Sequence, residues 1–148
     1  MLSACSLPMT KRLCTLLLLL PLAAGAALDM AQAQLRGHGG PVRALAISPD
    51  GKRALSGSFD TSAIRWSLER NVAEQVMRFH DGAVNAVVYL KDGRAITAGE
   101  DAHIAIWTPG AQQPDKVLDG HTGPIVALAV SPDNALLASA SWDVTVRL

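Results

Sequence analysis

A pattern that recurs about every 41 residues is the feature of this sequence that most constrains its fold. It is marked by three histidines, His38, His80 and His121, which are 42 and 41 residues apart. At a nearly constant distance after each histidine comes an aspartate: Asp60, Asp101 and Asp143. Self-similarity at this period is typical of repeat architectures, in which each repeat is one supersecondary unit that packs against its neighbours.

Each repeat contains short β-type runs separated by turn signals. In the first repeat the predicted strands are 42–47, 53–58 and 63–67, with a weaker fourth strand near 74–79. In the second repeat they are 84–89, 94–98, 103–107 and 116–118; in the third they are 125–130, 135–139 and 144–148. Asp-Gly pairs at 50–51 and 92–93 favour tight hairpins, because glycine tolerates positive φ. The sequence therefore predicts an all-β fold.

The predicted strands are apolar at nearly every position instead of alternating between apolar and polar residues. Strands of this kind are typical of sheets that are buried on both faces. We therefore expect each small sheet to be packed between two neighbouring sheets, as the blades of a propeller are.

Residues 1–33 differ in composition from the rest of the chain. Lys11 and Arg12 precede an apolar run over 13–28; small-residue sites lie within the end of this run, at 24–26, and after it, at 31–33. This order predicts a helical signal peptide, with Met9 as an alternative start. The apolar run is shorter than the roughly 20 residues of a membrane-spanning helix, so cleavage is the first prediction and an uncleaved membrane anchor the second. We therefore expect a secreted or periplasmic protein.

Composition narrows the function classes. The formal net charge is zero, whereas sequence-independent affinity for nucleic acid comes from clustered lysines and arginines, so we predict no nucleic-acid partner. Both cysteines, Cys5 and Cys14, lie in the predicted leader. We therefore predict no cysteine-based metal site, no metal centre and no cofactor in the repeats.

Each repeat combines a histidine, a hydroxyl residue and an aspartate, a set that can form a hydrolytic triad. The set occurs three times at one spacing, whereas catalysis needs one specialised copy, so we predict that no residue here is catalytic. In the structural alternative, a tryptophan N–H donates to the hydroxyl, the hydroxyl donates to histidine, and histidine donates to aspartate. Such a chain gives each buried polar atom a partner.

These residues resemble the WD-repeat β-propeller family. The resemblance rests on Gly37-His38, Phe79-His80 and Gly120-His121, followed by SGSFD, TAGED and SASWD and then by Trp66 and Trp107. It implies structural tetrads formed by His38, Ser56, Asp60 and Trp66, by His80, Thr97, Asp101 and Trp107, and by His121, Ser139 and Asp143, without a tryptophan in the third. The terminal Trp-Asp pair that names the family is Trp-Ser and Trp-Thr here.

The resemblance also implies a domain organisation. Residues 34–148 would form an incomplete WD-repeat propeller, with repeats at about 35–76, 77–117 and 118–148: two full four-stranded blades and most of a third. A closed ring typically uses 4 to 8 blades. We therefore expect the N-terminal part of a longer propeller or a truncated reading frame; assembly of several copies into one ring is a further alternative.

Family members contact partners through the face that carries the histidine loops and the turns before the aspartates. The residues that match those positions are Arg43, Phe59, Asn85, Glu100, Val126 and Trp142. Together with the predicted leader, the resemblance thus implies an exported, non-catalytic scaffold that binds other proteins. The alternative is the N-terminal propeller of a larger exported enzyme or a redox protein similar to c-type cytochromes, with its active domain beyond residue 148.

Overall fold

The computed structural model describes residues 34–148, and within them every regular element is a β-strand. The strands form three antiparallel sheets of four, four and three strands. The all-β prediction is therefore confirmed for this range. No helix in residues 34–148 is long and apolar enough to cross a membrane. The predicted signal-peptide helix lies outside the described residues.

Strand order within each sheet follows the chain. The first sheet contains β1 (Val42–Ile47), β2 (Arg53–Ser58), β3 (Ser62–Ser67) and β4 (Val72–Arg78). The second contains β5 (Val84–Tyr89), β6 (Ala95–Gly99), β7 (Ile104–Trp107) and β8 (Lys116–Leu118). The third contains β9 (Ile125–Val130), β10 (Leu137–Ser141) and β11 (Val146–Arg147). Each repeat of the sequence thus folds into one antiparallel meander.

Most strand boundaries differ from the predicted ones by two residues or fewer, and the differences have local causes. The fourth strand begins at Val72, earlier than predicted, because Val72 pairs with Ser67. In the third repeat the turn after β9 extends to Leu136, whose N–H donates to Ser131 Oγ, so β10 begins later than predicted. The last strand is shorter than predicted because Val144 lies in a turn, with φ of 62°.

Two apolar clusters hold neighbouring sheets together. Leu55, Met77, Val84 and Trp107 belong to the cluster between the first and second sheets. The cluster between the second and third sheets includes Ile96, Ile104 and Ile125. The first strands of successive repeats, β1, β5 and β9, are neighbours in this arrangement. Burial of these apolar side chains is the main favourable term that stacks the sheets.

The prediction of burial on both faces is correct for β2, β3 and β6, in which nearly every residue is buried. It is wrong for β1 and β9, where exposed and partly buried residues alternate, and in β10 only Ser139 is buried. The reason is that no described sheet covers the outward face of the first sheet at β1 or of the third sheet at β9 and β10.

Candidate functional site

The first histidine sits in a network that joins four parts of one repeat. Its ring Nδ1 lies 2.9 Å from Asp60 Oδ2, and its Nε2 lies 2.7 Å from Ser56 Oγ. Trp66 Nε1 donates to the same hydroxyl oxygen at 2.7 Å. The network thus connects the loop before β1, the strand β2, the turn between β2 and β3, and the strand β3.

The same geometry recurs in the other two repeats. His80 Nδ1 lies 2.9 Å from Asp101 Oδ2 and its Nε2 lies 2.8 Å from Thr97 Oγ1, which also accepts from Trp107 Nε1 at 3.0 Å. In the third repeat, Nδ1 of His121 lies 2.7 Å from Asp143 Oδ2 and Nε2 lies 2.8 Å from Ser139 Oγ. All eleven residues that the sequence assigned to the tetrads therefore lie in three equivalent networks.

The network fixes the direction of each hydrogen bond. An ionised carboxylate only accepts, so Nδ1 carries the proton and donates to aspartate. A neutral ring then accepts at Nε2 from the hydroxyl, whose oxygen is left to accept from the indole. Every polar side-chain atom of this hydrogen-bonded network has a partner, although the hydroxyl residues are almost fully buried. An unpaired polar atom at such a site would cost about 1 to 3 kcal/mol.

Further donors to the aspartates were missed by the sequence analysis. Ser62 Oγ donates to Asp60 Oδ1 at 2.6 Å, and Thr145 Oγ1 donates to Asp143 Oδ1 at the same distance. The backbone N–H that follows the histidine also donates to the carboxylate, from Gly39 at 2.6 Å in the first repeat. The signal in the sequence was a hydroxyl residue two positions after the aspartate, which is the spacing of a local Asx-type turn.

These donors shift the acid-base equilibrium of the carboxylates. Burial opposes ionisation of Asp60, but hydrogen bonds from Ser62, Gly39 and His38 outweigh it and hold the pKa of Asp60 well below its ordinary value. Burial likewise opposes ionisation of Asp101, and His80 is the main group that lowers its pKa. For Asp143 the Thr145 hydroxyl is the main cause of a lowered pKa. The three carboxylates are therefore anionic at neutral pH.

The residue after each aspartate has an unusual backbone conformation. Thr61, Ala102 and Val144 have φ of 67°, 64° and 62°, in the left-handed region that residues with a Cβ rarely adopt. The turn reverses the chain at this point and brings the aspartate over the histidine. Strain of this kind persists only where surrounding contacts hold it, and here the contacts are those of the histidine network.

The hydroxyls of the three networks are buried and hydrogen-bonded. Ser56, Thr97 and Ser139 are 4%, 0% and 4% exposed, and each hydroxyl oxygen lies within 2.8 Å of the Nε2 atom of its histidine. In addition, Trp66 and Trp107 already occupy an acceptor position of two of these oxygens. Residues 34–148 also contain no cluster of three or more histidine, cysteine or acidic side chains that could hold a metal ion.

The residue before each histidine packs on the network. A Cβ on Gly37 would lie 2.9 Å from Trp66 Cη2, so only glycine fits without movement of the indole. In the second repeat Phe79 stands at this position, and its ring packs edge-on with Trp107 at a centroid distance of 6.5 Å. The second repeat therefore accepts a large side chain at a position where the first repeat has room only for glycine.

The candidate partner-contact residues lie in two different environments. Phe59 and Trp142, in the turns before the aspartates, are 48% and 70% exposed, and Glu100 is also exposed. The Arg43 guanidinium lies 5.6 Å from the centre of the Phe59 ring, in a cation-π contact. In contrast, Asn85 and Val126 are partly buried, and Asn85 Nδ2 donates to the Ile125 carbonyl oxygen at 3.2 Å. Asn85 therefore links the second and third sheets.

Comparison with known proteins accounts for this repeated geometry. The family described as "WD domain, G-beta repeat" matches residues 31–67, 72–108 and 112–148. The chain belongs to the WD-repeat family. Among curated WD-repeat relatives, it is 32% identical over 127 residues to "Ribosome biogenesis protein YTM1" of Candida glabrata, which covers 72% of this chain and 27% of that protein.

Other relatives have names that describe different processes. The chain is similar to "Pre-mRNA-processing factor 19" of Caenorhabditis elegans, at 27% identity over 99 residues, 66% of this chain and 20% of that protein. It is also 32% identical over 116 residues to "Probable coatomer subunit beta'" of Schizosaccharomyces pombe, covering 76% of this chain and 15% of that protein. The chain thus spans about a quarter or less of the length of these WD-repeat relatives.

Removal of one network hydroxyl should destabilise the protein strongly. Thr97→Val keeps the shape of the side chain but leaves His80 Nε2 and the Trp107 indole unpaired, so we expect a loss of about 2 to 5 kcal/mol in the free energy of unfolding. Urea unfolding followed by tryptophan fluorescence measures this loss. The control Thr122→Val, at an exposed threonine, should change it by less than about 0.5 kcal/mol. Equal effects of the two variants would contradict the stabilising role.

The lowered pKa of Asp101 predicts how stability depends on pH. Because the folded pKa lies below the unfolded value of about 3.9, the stabilisation is fully present above that pH and is lost as the pH falls through the folded pKa. At pH 7 the Asp101→Asn variant should therefore have a clearly lower free energy of unfolding than the native chain. The difference between the two free energies should become smaller towards pH 2.5. Urea midpoints at both pH values test this. A gap that stays constant or widens on acidification would contradict it.

Proposed function

We propose that this chain is a non-catalytic scaffold that binds another protein through the turns before its aspartates. The observation that carries the proposal is the exposure of Phe59 and Trp142 at equivalent places in two repeats, each beside an aspartate that is held in a histidine network. Large aromatic side chains exposed on a rigid frame are suited to anchor a protein partner.

The Arg43–Phe59 pair adds to this surface. The guanidinium lies against the aromatic ring, so both side chains are held in place before a partner arrives. Preorganised side chains lose less conformational entropy on binding than free ones. Arginine and aromatic residues are also the types that contribute most to binding energy at protein interfaces. Both features support a protein-binding role for this end of the first repeat.

The names of the relatives are compatible with protein partners. One relative is named for ribosome biogenesis, one for pre-mRNA processing and one as a coatomer subunit, so the repeat occurs in proteins of different kinds. A repeat found in such different settings supports a binding platform more than one particular chemistry. The alternative of an attached enzyme or redox domain gains no support from residues 34–148.

The proposal includes export. Its support is the order of Lys11, Arg12, an apolar run over 13–28 and small residues near 31–33. The repeats that follow contain no cysteine, which suits an oxidising compartment. The scaffold would then work in the periplasm or outside the cell, as a cleaved product or held by an uncleaved leader.

Loss of the two exposed aromatic side chains should weaken partner capture. We expect the tagged chain with Phe59→Ala and Trp142→Ala to retain its thermal stability, because both side chains are exposed, and to capture about tenfold less partner. Crosslinking in the source organism followed by quantitative mass spectrometry measures this. The control Leu136→Ala removes an exposed apolar side chain from the turn after β9, at the opposite end of the strands. Unchanged capture by the double variant would count against this surface.

The export proposal has a separate test. A C-terminally tagged chain should be found in the periplasm or the medium, with a new N-terminus near residue 33 if the leader is cleaved. A chain without residues 1–33 should stay in the cytoplasm. Cell fractionation and mass spectrometry of the N-terminus read out both results. Recovery of the uncut chain from the cytoplasm would remove export from the proposal while leaving partner binding intact.

A further inference from the structure

One buried cation lies between the first and second sheets without an acidic partner. Arg65, on β3, is only 2% exposed, and its Nε is buried and has no hydrogen-bond partner. Within residues 34–148 its one hydrogen bond runs from Nη2 to the Gly93 carbonyl oxygen at 3.3 Å, and it forms no salt bridge. A guanidinium has five N–H donors, so this one is poorly satisfied for a buried charge.

The repeat itself shows that the position does not require arginine. Five residues after the aspartate stands Arg65 in the first repeat, but Ile106 in the second. Across from Arg65 lies Tyr89, with the guanidinium 5.7 Å from its ring centre. In the third repeat the equivalent of Tyr89 is Val130, and Ile106 and Val130 both pack on the apolar cluster between the second and third sheets. The first interface therefore carries a polar pair where the second carries an apolar one.

The arginine borders a cavity of about 270 Å³ at the end of the sheets opposite to the histidine loops. Two turns form its mouth, 48–50 from the first repeat and 91–93 from the second. Tyr89, Pro49 and Pro109 supply apolar walls. The cavity is thus large enough for a small molecule and lies where the two repeats meet.

The charges around the cavity favour an anion. Arg53, Arg65 and Lys91 are lining cations, and Asp50 and Asp92 are lining anions. Arg53 is already paired with Glu74 at 2.8 Å and with Asp50 at 3.3 Å, and Asp92 accepts from Arg94 Nε at 2.8 Å. Within residues 34–148 no carboxylate forms a salt bridge with Arg65, which is left without a counter-ion.

We propose that this cavity binds a small organic acid, whose carboxylate pairs with Arg65 and whose hydrocarbon part lies against Tyr89 and the two prolines. Carboxylate and guanidinium are both planar, so the pair can form two parallel hydrogen bonds. Binding would supply the counter-charge that the buried arginine lacks. Phosphate, in contrast, has no hydrocarbon part to lie against the apolar walls.

The proposal is tested on the full chain with sodium propionate as the probe, at pH 7 and constant ionic strength. We expect propionate to raise the thermal midpoint relative to chloride, and to shift the Arg65 Nε–Hε signal in the ¹⁵N NMR spectrum of the native chain. An unchanged Arg65 signal at a propionate concentration that saturates any thermal shift would overturn the proposal. This measurement requires no variant.

Substitutions test whether propionate binds at Arg65. Arg65→Ile installs the residue of the second repeat and should weaken propionate binding at least tenfold, because a charge-assisted pair is lost. The control Arg78→Ile removes the same charge from an exposed position on β4 and should leave binding within about twofold. Arg65→Lys keeps the charge but not the planar fork, and should bind with intermediate strength.

Three further outcomes would also overturn the proposal. Propionate could stabilise Arg65→Ile as much as the native chain, which would place binding elsewhere. Propionate, phosphate and chloride could act equally, which would indicate charge screening alone. Phosphate could stabilise the native chain more than propionate, which would exclude a carboxylate as the preferred ligand.

Discussion

The hydrogen bond between histidine and aspartate is the interaction on which each repeat depends. It joins the loop that enters the sheet to the turn between its second and third strands, at 2.7 to 2.9 Å in all three repeats. Through the hydroxyl residue it continues to the tryptophan of the third strand in two of them. Because these groups are buried, loss of one member leaves its neighbours unpaired, so the network acts as a unit.

The stabilising networks and the proposed binding surface share one end of the sheets. The turns that carry Asp60 and Asp143 also carry Phe59 and Trp142, whose side chains are exposed. A left-handed residue follows each aspartate, and the carboxylate accepts hydrogen bonds on both sides of the turn. The same contacts that stabilise the fold therefore hold exposed side chains in place for recognition, which is a common use of loops on rigid scaffolds.

The two interfaces between sheets differ in character, and this difference was not visible in the repeat pattern. The second is apolar around Ile96, Ile104 and Ile125. At the first, the apolar cluster is joined by Arg65 and Tyr89 beside a cavity. Departures from a repeat are informative when they converge in space, because each one alone is indistinguishable from neutral variation. Arg65 and Tyr89 are 24 residues apart and meet only across the interface.

The sequence by itself determined the repeat, the all-β class, the approximate strands and the partners of each histidine, because these depend on spacing within one meander. It did not determine the short last strand, the second donors to the aspartates or the exposed face of β1, since these depend on turn geometry and on which neighbour covers a sheet. Only the tertiary structure decided that Asn85 links two sheets and that Arg65 lies buried beside a cavity. Those contacts join different repeats, and spacing along the chain does not encode the distance between side chains on separate sheets.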